Sequence, residues 1–65
     1  MDNLHYQEKV EIISGFYKGS KGVIINEFED SNKLSYDVEL ATGKVTIQDR
    51  KNLKKSSNQR IKNDN

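Results

Sequence analysis

The sequence predicts an all-β domain: a small, strongly curved antiparallel barrel of five short strands. Three observations predict it. Period-two alternation recurs at close spacing, cleanest in LSYDVEL, where Leu34, Tyr36, Val38 and Leu40 share one face and Ser35, Asp37 and Glu39 the other. β-branched residues run together at Val23, Ile24 and Ile25. Clusters of Gly, Asn, Asp and Ser punctuate these runs, and no apolar period of 3.6 persists for three helical turns.

The first strand is KVEII, with Val10 and Ile12 inward and Lys9 and Glu11 outward. Residues 1–8 before it form a flexible lead-in, from which Tyr6 is expected to cover the barrel. SGFYKGSKG at 14–22 is the first turn, and GVIINEFE the second strand. Phe28 is in phase with Ile24 but out of phase with Val23 and Ile25. One strand can point both sets at a single core only if it bends or carries a bulge. DSNK at 30–33 is turn chemistry, since Asp and Asn tolerate the left-handed region and bond their own backbone. LSYDVEL is the third strand, ATGK the next turn, and KVTIQ the fourth strand, with Val45 and Ile47 expected inward. DRKNL suits a single tight helical turn, and LKK a last short strand anchored by Leu53. From Ser56 the polar tail SSNQRIKNDN has Ile61 as its only apolar residue, too little burial to repay its ordering, and is expected to be disordered. The organisation is thus 1–8 lead-in, 9–55 barrel and 56–65 tail.

Totals narrow the function. A chain of 65 residues makes one domain, and one of this size buries only about 60% of its unfolded surface. No cysteine is present and His5 is the only histidine, so neither disulfides nor structural zinc is expected, and no cofactor. No nucleophile–base constellation appears, and the carboxylates fall on outward strand positions and turns. A non-enzyme without a small-molecule substrate is the expectation. The opening MDNLHYQEK lacks a basic n-region and an apolar h-region, and no run approaches the roughly 20 apolar residues of a membrane span. The expected setting is cytoplasmic, with no membrane partner.

Net charge is only +1, but it is unevenly spread. Residues 23–40 carry Glu27, Glu29, Asp30, Asp37 and Glu39 against Lys33 alone. Residues 41–55 carry Lys44, Arg50, Lys51, Lys54 and Lys55 against Asp49. An acidic side and a basic side are expected. In the glycine loop, Gly15, Gly19 and Gly22 permit backbone angles closed to other residues. Lys18 and Lys21 project from it as ammonium groups suited to phosphate or carboxylate. The rings of Phe16 and Tyr17 either close the small core or face outward, where they suit unpaired bases or an apolar partner. Nothing in the spacing favours an aromatic cage for methyl-lysine.

The run KVEIISGFYKGSKGVIINEFEDSNKLSYDVEL resembles the KOW motif of NusG-type transcription elongation factors and several ribosomal proteins. The family pattern is a strand, a loop of the type GxxKGxxG, a second strand rich in Val and Ile, and a third strand. Here the loop is Gly15, Lys18, Gly19 and Gly22; with TGKVTIQDRKNLKK the resemblance spans roughly residues 9–55. It implies an SH3-like barrel whose loops contact RNA, ribosomal proteins or transcription machinery. Phosphate contacts are then expected from Lys18, Lys21, Arg50, Lys51, Lys54 and Lys55, and stacking from Phe16 or Tyr17. Outward Asp37 and Glu39 repel phosphate, so an RNA contact is expected to avoid their face. The alternative is a protein–protein adaptor or small regulator that uses the loop hydrophobes and a sheet edge without touching nucleic acid.

Overall fold

The structure is a computed structural model in which residues 4–56 are described. Five strands form one antiparallel sheet: β1 (Lys9–Ile12), β2 (Lys21–Asp30), β3 (Lys33–Leu40), β4 (Val45–Asp49) and β5 (Leu53–Lys55). A 3₁₀ turn, Arg50–Asn52, links β4 to β5, as DRKNL suggested. The strand order β4-β3-β2-β1-β5 makes β4 and β5 the two margins. Among the described residues no ladder joins those margins to each other. No helix among them is long and apolar enough to cross a membrane. The expected disordered tail falls on residues 57–65, outside the described residues, apart from Ser56, whose N–H donates to the Lys9 carbonyl at 2.9 Å.

One face of the sheet holds the core: Leu4, Val10, Ile12, Ile24, Tyr36, Val38, Leu40 and Leu53, with Tyr17 and Leu34 packed against it. Seven of these eight follow directly from the alternation of β1, β2, β3 and β5. Leu4 does not, because it precedes every strand. It is nonetheless 2% exposed, and its N–H donates to the Tyr36 hydroxyl at 3.2 Å. The segment behind it is clipped to β2: Gln7 N–H donates to the Ile24 carbonyl, and Ile24 N–H to the Glu8 carbonyl. Tyr6, expected to cover the core, is 70% exposed, and Leu4 covers it instead. Burying a leucine side chain contributes about 1.5–3 kcal/mol, a sizeable fraction of the stability of so short a chain.

The bulge expected in β2 is present, but it has the opposite effect on Phe28. Ile24 opposes Val38, yet the next paired residue is Asn26, opposite Asp37, so Ile25 is the extra residue. The phase therefore flips. Glu27 and Glu29 fall opposite core-facing Tyr36 and Leu34, while Phe28 falls opposite Ser35 on the outer face. A regular strand would have kept Phe28 in phase with Ile24; the bulge aligns it with Val23 instead.

β4 alternates as its sequence suggests, in the other phase. The Leu40 N–H donates to the Lys44 carbonyl, and Gly43, at φ +93°, donates to the Leu40 carbonyl. That tight turn sets Lys44 opposite inward Leu40, so Val45 and Ile47 pair with outward Glu39 and Asp37. They are 46% and 66% exposed, against the expectation that they point inward. A shift of one residue moves every side chain of a strand to the other face. Thr46 and Gln48 take the inner positions and bond each other at 3.0 Å, with Asn52 Nδ2 reaching Gln48 Oε1 at 3.5 Å.

Candidate functional site

The 14–22 loop is built by its backbone. Lys18 N–H donates to the Gly15 carbonyl, Ser20 N–H to Tyr17, and Gly19 N–H reaches back to Ile12. Gly15 and Gly19 hold φ of +91° and +92°, the region where a Cβ is strained. Gly22 is different and corrects the expectation of an unusual backbone angle. A Cβ there would lie 2.5 Å from the Glu39 carbonyl oxygen and 2.8 Å from Val38 Cγ1, so its missing side chain is what lets β2 approach β3.

The two rings divide the alternatives between them. Tyr17 packs against the core, whereas Phe16 is 93% exposed. Their centroids are 4.9 Å apart at 85°, an edge-to-face contact, so the anchored tyrosine supports the exposed phenylalanine.

The loop meets the 3₁₀ turn through one bond: Ile13 N–H donates to the Asn52 carbonyl at 2.8 Å. That bond sets Asn52 at the foot of the loop, while Arg50 and Lys51 follow Asp49, which pairs with Ser35 near the β2–β3 turn. Lys18 on the loop and Lys51 on the turn are exposed, and Arg50 is half-buried with Nη1 donating to the Leu53 carbonyl at 2.8 Å. Asn32, Lys33, Leu34, Asp49, Arg50 and Lys51 line a surface concavity of about 230 Å³, open to solvent, which sets Arg50 and Lys51 beside the β2–β3 turn.

The remaining expected contact residues lie elsewhere. Lys21 and Lys54 both pair with Glu11 across the outer face, and Lys54 Nζ stands 3.9 Å from Glu11 Oε1. Lys55, opposite Val10, reaches Glu8 Oε2 at 3.5 Å. The basic segment 50–55 is therefore not one patch: its first two cations lie beside the β2–β3 turn and its last two meet carboxylates of β1 and the segment before it. The acidic side divides as well, with Asp37 and Glu39 outward and Glu27 and Glu29 in inward register. Alternation alone places Lys54 outward, but the Glu11 partner required knowing that β5 pairs with β1.

Sequence reasoning did not find the outer face of β2, β3 and β4. Cross-strand rows there read Val23–Glu39–Val45, Asn26–Asp37–Ile47 and Phe28–Ser35–Asp49. Aliphatic and aromatic side chains are mixed there with carboxylates, and Lys9 of β1 extends the first row opposite Val23. Among the described residues, no three His, Cys, Asp or Glu side chains gather into a metal-holding group. Compared with known proteins, this chain matches no family model, no curated protein and no solved structure.

Proposed function

We propose that this domain is a non-enzymatic, KOW-like SH3-type binding module that contacts single-stranded RNA, or an RNA–protein assembly of transcription or translation, through its loop end. The observation that supports this most directly is Phe16, 93% exposed and held edge-on by the anchored Tyr17, on a loop bonded to the turn that carries Arg50 and Lys51. An exposed ring accepts any base on its face, and stacking contributes about 1–3 kcal/mol per base. Lys18 and Lys51 supply ammonium groups to flanking phosphates. Lys21, Lys54 and Lys55 are secondary, since carboxylates already face them.

Two or three phosphate contacts imply a modest salt dependence, with a log–log slope of about −1.5 to −2 for single-stranded RNA. Fluorescence titration with a labelled oligouridylate tests this. Phe16→Ala is expected to weaken binding about 5- to 150-fold, consistent with one lost stacking contact. Lys18→Ala with Lys51→Ala flattens the salt slope. Lys54→Ala with Lys55→Ala changes affinity less than either. No binding at low salt, or equal losses from all three variants, refutes the reading. The adaptor alternative predicts salt-insensitive capture of a protein partner that nuclease leaves intact.

A further inference from the structure

We infer that the β4 margin is a strand-addition site for an extended segment of a protein partner in which aliphatic residues alternate with Lys or Arg. The observation is separate from the loop end. β4 is a sheet edge of sequence VTIQD, without proline, lysine or a bulge. Natural edge strands are usually blunted by such devices, because an unguarded edge recruits other chains.

Register shows which backbone groups this edge offers. The Leu40–Lys44 bond marks a hydrogen-bonded position, and antiparallel positions alternate. Val38–Thr46 and Tyr36–Gln48 are then bonded pairs, while Glu39–Val45, Asp37–Ile47 and Ser35–Asp49 are not. The N–H and C=O groups of Val45, Ile47 and Asp49 accordingly point away from β3, ready for another strand. The side chains of the same three residues stand on the outer face.

Charge selects the occupant. Val45 and Ile47 give an added strand aliphatic neighbours, while Asp37, Glu39 and Asp49 beside them form a carboxylate field, with Lys9 two strands away at the far end of the Glu39 row. A second copy of this chain, added β4 to β4, would bring like charges together. An acidic segment or a nucleic acid strand would meet the same repulsion. A strand that turns its Lys or Arg residues to the outer face, their aliphatic stems beside Val45 and Ile47 and their charged ends reaching Asp37 and Glu39, satisfies both, and its aliphatic residues then fall on the opposite face.

The test uses the whole chain, ¹⁵N-labelled, with a capped six-residue peptide of alternating valine and lysine and a matching valine–glutamate peptide. The lysine peptide is expected to shift the Val45, Ile47 and Asp49 amides and slow their hydrogen exchange, and the glutamate peptide to do neither. Ile47→Pro removes one outward N–H at an edge position where proline is tolerated, and is expected to weaken binding at least tenfold. Ile47→Lys, at an exposed position that keeps the backbone, is expected to do likewise if the proline variant does not fold. Phe16→Ala leaves this binding unchanged, which separates it from the loop-end reading. Equal response to both peptides, shifts confined to residues 16–18 and 50–52, no shift at millimolar peptide, or concentration-dependent self-association through residues 45–49 each overturns the proposal.

Discussion

Replacing Gly22 with alanine adds one methyl group where β2 lies close against β3. That carbon would lie 2.5 Å from the Glu39 carbonyl oxygen, 2.8 Å from Val38 Cγ1 and 3.1 Å from the Glu39 carbonyl carbon. The first and third of these are backbone atoms, fixed by the Gly22–Leu40 and Val23–Glu39 pairs on either side. They cannot rotate away as a side chain can, so β2 and β3 must separate there. Overpacking of this kind costs about 1–3 kcal/mol, and backbone involvement puts Gly22→Ala at about 2–3 kcal/mol. A chain of this length has only about 3–10 kcal/mol of stability. With a urea m-value of about 1 kcal/mol/M for so small a domain, the unfolding midpoint followed by circular dichroism should fall by about 2–3 M. Val38→Ala in the same chain relieves only the side-chain part of the clash and should not restore the midpoint. Gly15→Ala is the comparison: nothing lies within 4 Å of its Cβ, so its cost comes from φ +91° alone, about 1–2 kcal/mol. If Gly22→Ala unfolds within 0.5 M of the parent, close approach of β2 to β3 is not what that glycine provides.

Two further expectations concern the segments flanking β1. Leu4→Ala should cost about 2–4 kcal/mol in urea unfolding, as for other buried leucines, whereas Tyr6→Ala, at an exposed ring, should stay within about 0.5 kcal/mol. The reverse order would mean that Tyr6 is what covers the core. Tyr17→Ala should cost about 1–3 kcal/mol, a half-buried fraction of a full aromatic truncation. Phe16→Ala loses only the ring contact, at most about 1 kcal/mol. Comparable unfolding midpoints for these two variants would contradict the division between an anchored and a presented ring.

Much of the fold was legible in the sequence because the period of a strand is local. Val10, Ile12, Tyr36, Val38, Leu40 and Leu53 were all read as core and all are buried. The candidate site was legible in its residue types and only partly in its layout. The 14–22 loop and the 3₁₀ turn are tied together because Ile13 bonds Asn52, a contact across nearly forty residues, while Arg50 and Lys51 lie beside Asn32 and Lys33. Lys54 and Lys55 look like part of the same patch in sequence, but strand pairing sets them against Glu11 and Glu8.

By itself, then, the sequence determined the all-β class, the number of strands and the turn positions, since alternation and turn chemistry depend on neighbours a few residues apart. Tertiary structure alone decided phase and partnership. The turn at Gly43 turned Val45 and Ile47 outward, the extra residue at Ile25 took Phe28 with them, and Leu4 entered the core from outside any strand. Each is a choice of face or of distant neighbour. Such a choice has little local signature, because both phases of a strand have the same period and differ only in what the rest of the chain sets against them.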